Sequence, residues 1–469
     1  MYNSKLLQLL EALDSSQKES LKKWVQSPVH LQHEKTQNLL LILLSKRKFT
    51  PRTVARKTIF AQLCPQQAYQ EKQLNYWMSY ATKQVESFIE FWMQEKATFE
   101  NKKKLFLFLE EKKLDKYSQQ ELRQLQVYQQ KHATQNSLYY RQQYELEALL
   151  FAHQNQTARQ EQTNLQDLLN AQSTAFILDT LYYACEALTH QRLYTSTYRI
   201  PLLTGILQDI EAGFYQHIPA VQLYYYGYKM LEEVEHPEHF EDLQGLLLEQ
   251  GAALSKKELK HLYLMAINYC VQRLNSGLEG YVRKVFELFQ QALQWGILLE
   301  EGQLSQFTYK NIITAAIRLG EYAWTEDFIT TYTPLLPSKF QTNYACFAQS
   351  KLYFAQQHYD ACLELLAQVE FDDLFLNMNA KSMLLKIYYE RQDLDPLYSL
   401  LTSFRRFLQR KSIVAYQKQI YENFLVLTEK LLHLPPQQPL RKKALQQEIE
   451  QVTPLTEKPW LLAQLALVP

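Results

Sequence analysis

Residues 344–369 read YACFAQSKLYFAQQHYDACLELLAQV, and residues 379–404 read NAKSMLLKIYYERQDLDPLYSLLTSF. The two segments align with an offset of 35 residues, so that Tyr353 corresponds to Tyr388. In each segment, apolar residues recur at helical spacing over two short stretches, which predicts a helical hairpin. One hairpin cannot bury its own apolar face, so a repeat of this length predicts a stacked α-solenoid.

Helical periodicity extends over most of the chain and divides it into four parts. Segment 1–116 predicts an N-terminal helical module, in which 71–95 carries a broad apolar stripe and should anchor the others. Segment 117–171 is Gln-rich but keeps helical spacing, which indicates a helical hairpin. Segment 172–433 has the rhythm of helix pairs that is typical of a solenoid, and 434–469 predicts a C-terminal helical cap. The predicted fold class is therefore all-α.

Local sequence signals place several helix starts. Ser255-x-x-Glu258 and Ser118-x-x-Glu121 are predicted capping boxes, in which a hydroxyl and a carboxylate satisfy two free backbone amides. Pro51 is predicted at the first position of a helix, where its missing N–H is no loss.

Glycine and cysteine usage weighs against several classes of protein. All ten glycines lie between Gly205 and Gly320, and neither glycine-rich phosphate-binding motif is present, which argues against nucleotide-binding enzyme folds. The five cysteines have no C-x-x-C spacing, so neither a zinc site nor a disulfide framework is expected. His236-Pro237-Glu238-His239 offers potential ligands, but they need not converge on one point, and we expect no metal site or cofactor.

The N-terminus and the aliphatic runs bear on location. Glu11 and Asp14 stand where a signal peptide would need an apolar core, and the longest aliphatic run, Leu39 to Leu44, is too short to span a bilayer. We therefore expect a cytoplasmic protein with no membrane partner.

The sequence KLYFAQQHYDACLELLAQV at 351–369 resembles the tetratricopeptide repeat consensus. Tyr353 stands in the first helix, Tyr359 opens the second, and small Cys362 stands where the two helices should cross closely. Gln357 takes the place of the usual turn glycine, so these are divergent repeats.

About the last 160 residues also resemble a group of uncharacterised bacterial helical-repeat proteins. This resemblance rests on Lys310-Asn311, Leu319-Gly320-Glu321-Tyr322, Trp324, Phe328, Leu385-Lys386-Ile387-Tyr388-Tyr389-Glu390 and Phe404-Arg405-Arg406-Phe407-Leu408. It supports the helical-repeat fold and implies no active site, so we do not expect an enzyme.

The tetratricopeptide resemblance also implies where a ligand would bind, namely on the concave groove formed by the first helices of the hairpins. The candidate peptide-binding residues are Lys310, Arg318, Tyr344, Phe347, Lys351, Phe354, Lys386 and Tyr389. Lysines that repeat along a groove suit an acidic peptide, whose apolar side chains the aromatics would hold. The alternative is that the aromatics are core and the lysines an ordinary solvated face.

A basic cluster near the N-terminus suggests a second function. Residues 1–60 hold 11 Lys and Arg against 4 Asp and Glu, whereas residues 205–303 hold 7 against 14. The cluster consists of Lys46, Arg47, Lys48, Arg52, Arg56 and Lys57. Such a surface could contact phosphates, but the cluster has no recognition helix and cations are favoured at a helix C-terminus in any case. A scaffold that binds another protein or a peptide is the favoured prediction, and a nucleic-acid-binding regulator is the alternative.

Overall fold

A computed structural model of the chain describes all residues except 32, 47, 96, 132–133, 158–162, 194–195, 368–373, 411–414 and 469. Within the described residues the chain folds into 23 α-helices, two short 3-10 turns and one two-stranded hairpin. The prediction of an all-α fold is therefore confirmed. In the same residues, no helix is both long enough and apolar enough to cross a bilayer.

The chain forms two compact units, Met1–Phe176 and Ile177–Pro469. The division falls inside α9 (Leu165–Leu193). The helices of the first unit that precede it are α1 (Lys5–Ala12), α2 (Ser15–Gln26), α3 (Glu34–Leu44), α4 (Arg56–Leu63), α5 (Glu71–Glu95), α6 (Thr98–Glu111), α7 (Asp115–Gln130) and α8 (Ser137–Thr157).

Helix α5 anchors the first unit, as its broad apolar stripe predicts. It packs against each of α1 to α4, and its side chains Leu74, Trp77 and Phe88 are buried among theirs. Trp77 stacks on Phe60 of α4 with ring centroids 5.7 Å apart. A smaller core, centred on Phe106 of α6, joins α6, α7 and α8.

The second unit consists mainly of helix pairs. Its helices after α9 are α10 (Leu203–Glu211), α11 (Pro219–Glu232), α12 (Glu238–Gln250), α13 (Lys256–Asn275), α14 (Tyr281–Gln294), α15 (Gln306–Arg318), α16 (Tyr322–Tyr332), α17 (Ser338–Ala355), α18 (Tyr359–Ala367), α19 (Leu374–Arg391), α20 (Leu394–Arg410), α21 (Ala415–Leu432), α22 (Pro439–Gln451) and α23 (Lys458–Leu467). Five successive pairs from α11–α12 to α19–α20 pack as hairpins. First helices of neighbouring hairpins also pack on one another, as α11 with α13, α15 with α17 and α17 with α19, whereas α15 packs mainly on α14 of the preceding hairpin. This is a solenoid-like arrangement.

The hairpin turns repeat the same backbone geometry. Gly320, Gln357 and Gln392 stand at equivalent turns with left-handed φ values of 75°, 62° and 59°. After each of them, the next backbone N–H donates to a carbonyl of the last turn of the preceding helix, as from His358 to Tyr353 over 2.8 Å. This bond satisfies a carbonyl that the helix end leaves free. These three turns therefore share one backbone conformation.

Two of the predicted helix starts are wrong, and one is confirmed. Helix α4 begins at Arg56 rather than Pro51, because Thr50 and Thr53 exchange backbone-to-hydroxyl hydrogen bonds of 2.8 and 3.2 Å that hold the intervening residues in a turn. Ser118 lies inside α7, where its hydroxyl donates to the Asp115 carbonyl over 3.0 Å instead of capping a helix. The predicted capping box at Ser255 is present at the start of α13.

A short β-hairpin, which the sequence reading did not anticipate, precedes α15. Strand β1 (Leu299–Glu300) pairs antiparallel with β2 (Gln303–Leu304). Glu301 and Gly302 form the two-residue turn with φ values of 50° and 79°. Two consecutive left-handed residues are typical of the tight turns that match the strand twist.

The left-handed turns generate a stability prediction. A side chain at positive φ is strained, and glycine relieves that strain, so we expect Gln357→Gly to raise the free energy of unfolding by about 0.5–1 kcal/mol. The reverse change, Gly320→Gln, should lower it by a similar amount. Urea denaturation followed by circular dichroism measures both variants. A Gln357→Gly variant that is less stable than the wild type would contradict the turn assignment.

Candidate functional site

Three of the predicted lysines lie close together on successive first helices. Lys310, Lys351 and Lys386 are on α15, α17 and α19. Burial lowers the pKa of the Lys351 ammonium to about 8; the carboxylate of Glu457 opposes this shift, and the positive charges of Lys386 and Lys310 add to it. The charges of Lys310, Lys386 and Glu457 therefore lie close enough to act on the Lys351 ammonium group.

Hydrogen bonds and a ring contact connect these lysines to their neighbours. Lys351 Nζ donates to the Thr314 hydroxyl over 2.8 Å, and Thr314 in turn donates to the Lys310 carbonyl over 2.7 Å. Lys386 Nζ lies 4.7 Å from the centre of the Phe354 ring, a cation–π distance. We call Lys310, Thr314, Lys351, Phe354 and Lys386 the lysine surface.

The C-terminal helix α23 contributes a carboxylate to this surface. Glu457, at the N-cap of α23, accepts from Lys386 Nζ at 2.8 Å. One turn further on, Trp460 Nε1 donates to Glu390 over 2.6 Å, and the indole meets the Tyr389 ring edge-on with centroids 5.3 Å apart. The lysine surface thus already binds one carboxylate from its own chain.

Four of the eight predicted groove residues do not join the lysine surface. Tyr344, Phe347 and Tyr389 are buried, with 5%, 3% and 8% of their surface exposed. Large aromatic rings contribute most to stability when they leave water, and these three form core between hairpins. Burial leaves these three rings little surface for a peptide to contact, which favours the alternative that they are core. Arg318 is exposed and forms an ion pair with Glu279.

Sequence reasoning missed several residues of this site. Thr314 was not singled out, although it lies one turn after Lys310 on the same helix face. Glu457 contacts Lys386 across 71 positions of sequence, and Trp460 contacts Glu390 across 70. No local pattern reports a contact over such separations.

The predicted basic cluster in the first unit is divided between two environments. Arg56 Nη1 donates to Glu71 and to Asn75, both over 2.9 Å, so its charge is offset. Lys46 and Lys48 line a cavity of about 270 Å³.

The remaining members of the basic cluster lie at the surface where the structure describes them. Arg52 and Lys57 are exposed, and Arg47 lies outside the described residues. The cavity beside Lys46 also contains Lys18 and the carboxylate of Glu11, so a cation and an anion both accompany the predicted lysines.

The two histidines near residue 237 bind different carboxylates. His236 Nδ1 lies 2.8 Å from Glu238, and His239 Nε2 lies 2.8 Å from Glu233. The residues that the structure describes contain no group of three or more His, Cys, Asp or Glu side chains arranged to hold a metal ion.

Comparison of the chain with protein-family models, with curated proteins and with solved structures found no match.

The burial of Lys351 generates a pH prediction. Its pKa is lowered from 10.5 to about 8 in the folded chain, so between these values the unfolded chain holds a proton that the folded chain has lost. The contribution of Lys351 to the free energy of unfolding therefore rises as the pH increases from 8 to 10.5. Below pH 8 the amine is charged in both states, and the folded chain bears the full cost of burying that charge. We expect Lys351→Met to be more stable than the wild type by about 1 kcal/mol at pH 7, with a gain that shrinks towards pH 10.

Urea denaturation at the two pH values measures this difference, and the exposed Lys443 on α22 supplies the control variant Lys443→Met. A gain that is equal at both pH values would contradict the burial of the Lys351 charge.

Proposed function

We propose that the second unit is a tetratricopeptide-like protein-interaction module without catalytic activity, and that its lysine surface binds an acidic peptide or helix. The observation that carries this proposal is the grouping of three lysines from successive first helices at one place. Among the described residues, the positive charges of Lys310 and Lys386 act on Lys351, and the carboxylate of Glu457 opposes them. A second carboxylate, brought by a partner, would reduce the repulsion among them.

Partial burial strengthens the case for an anionic ligand. Ion pairs at exposed sites contribute little, because water screens them and the side chains lose freedom. Lys351 is half-buried, and its lowered pKa reports that its charge is incompletely compensated. A carboxylate that accepts from Lys351 would form a charge-assisted hydrogen bond in a medium where such bonds are strong.

The contact with Glu457 supports the class of partner. A carboxylate at the start of a helix reaches Lys386, and one turn later an indole packs on Tyr389. An acidic and an aromatic side chain of one helix thus pack together on α19. A partner helix of the same character would suit the neighbouring positions Lys310 and Lys351.

Two features support the finer assignments. The left-handed turns at Gly320, Gln357 and Gln392 are equivalent in position, which fits a tetratricopeptide-like repeat. Four of the five cysteines are buried and all five are free thiols, which fits the reducing cytoplasm.

Charge reversal tests the proposal. We expect peptides selected from a displayed random library on the wild-type chain to be rich in Asp and Glu, and Lys310→Glu/Lys351→Glu to weaken their binding at least roughly tenfold. Fluorescence anisotropy of a labelled selected peptide measures the affinity. Lys443→Glu makes a charge change on exposed α22 away from the lysine surface and should bind normally. Selected peptides without acidic enrichment, or binding that survives the double reversal, would refute the proposal.

Removal of the internal carboxylate of Glu457 should change the affinity for the peptide in the opposite direction. Glu457→Gln removes the negative charge that Lys386 now binds, while it keeps the size of the side chain. We expect the selected acidic peptide to bind this variant more tightly than the wild type, by roughly threefold to tenfold, since a competing anion has gone. Weaker binding would indicate that Glu457 helps to hold the peptide and would contradict competition.

Nucleic acid is the alternative ligand, through the basic cluster of the first unit. Two observations weigh against this alternative. The carboxylate of Glu71 offsets the charge of Arg56, and the carboxylate of Glu11 lines the same cavity as Lys46 and Lys48. Salt-dependent retention on immobilised DNA that is lost in Arg52→Glu/Lys57→Glu, but kept in the lysine-surface variants, would favour this alternative.

A further inference from the structure

A second cavity of the same unit has a different chemical character from the lysine surface. It has a volume of about 640 Å³ and lies beside the turn between α19 and α20 and the end of α23. Its apolar lining includes Leu431, Leu432, Leu434, Pro436, Leu467 and Val468. Glu390 is the single charged residue among the described residues that line it. We call it the Glu390 cavity.

The carboxylate of Glu390 binds two neutral donors. Its Oε2 accepts from the Tyr359 hydroxyl, and its Oε1 accepts from Trp460 Nε1 at 2.6 Å. In the described part of the chain, no lysine, arginine or histidine forms an ion pair with it. These hydrogen bonds orient the carboxylate, but they do not neutralise its charge.

The neighbouring cations are bound elsewhere. Lys386, one turn earlier on α19, pairs with Glu457. Arg391, the next residue along, pairs with Asp360 at 2.5 Å and with Asp393 at 3.1 Å. Lys442 of α22 donates to backbone carbonyls at the end of α23, including that of Ala466 over 3.3 Å. Among the described residues, the carboxylate of Glu390 therefore has no ion-pair partner and can attract a ligand cation.

From this combination we infer that the Glu390 cavity binds an organic ammonium ion that carries an apolar group. A carboxylate can accept about four hydrogen bonds, so Glu390 keeps capacity for an N–H donor beside the two bonds that it makes. Tyr359 also lines the cavity, and an aromatic ring attracts a cation that approaches its face. Its volume lies in the range of small-ligand sites. The inference does not depend on peptide binding at the lysine surface.

A matched pair of probes separates charge from shape. Phenethylammonium and 2-phenylethanol have nearly the same size, but only the first carries a charge. We expect isothermal titration calorimetry on the full chain to show the ammonium ion binding at least roughly tenfold more tightly than the alcohol. Glu390→Gln should remove this difference. Glu364→Gln, which neutralises an exposed carboxylate on neighbouring α18, should keep it.

A second variant keeps the inference testable if Glu390→Gln disturbs the fold. Leu467 lines the cavity in the last turn of α23 and is 75% exposed, so a lysine there is tolerated. Leu467→Lys supplies a tethered ammonium group and should compete with phenethylammonium, which weakens its binding roughly tenfold. The inference is overturned if the wild type binds the two probes equally, or if neither Glu390→Gln nor Leu467→Lys weakens binding of the ammonium ion.

Discussion

The structure of the second unit depends on the packing of each hairpin against the next, and from α15 to α19 the first helices of the hairpins make this contact. A hairpin buries only part of its apolar surface, and the following hairpin must cover the rest. The contacts of α17 with α15 and with α19 meet this need, and they bury Leu352 and Leu385 almost completely. The same contact fixes the distance between the side chains on the other faces of these helices. Residues one repeat apart in sequence are thereby brought next to one another.

The lysine surface is a consequence of that packing. Lys351 and Lys386 occupy the same position of adjacent first helices, so their ammonium groups meet whenever the core between the helices forms. Like charges held together cost free energy, and the chain offsets part of that cost with Glu457 from α23. The C-terminal helix therefore closes the core through Leu461 and Leu465 and also tempers the charge of the surface. At Glu390 the local charge is negative instead, because two neutral donors bind the carboxylate there.

Local and repeated features could be predicted from the sequence, whereas contacts between distant segments could not. The apolar stripe of α5 and the capping box at Ser255 depend on residues within a few turns, and both are present. Helix α6 was not anticipated, because Leu105, Leu107 and Phe108 are exposed on it and blur the apolar stripe. The aromatic residues Tyr344 and Phe347 carry the same helical spacing whether they face a ligand or a core, and only the packing of hairpins decides between the two. Glu457 reaches its partner from a helix that no repeat pattern relates to α19.

The central claim is that Lys351 holds a half-buried charge at a place prepared for an anion. Nuclear magnetic resonance titration of the Lys351 ammonium group, assigned through Lys351→Arg, tests it most directly. We expect a Lys351 pKa near 8 in the free chain, and a clear upward shift when an acidic peptide selected on the wild-type chain is added, since a bound carboxylate favours the charged amine. A Lys351 pKa that the peptide leaves unchanged while the peptide binds would contradict it.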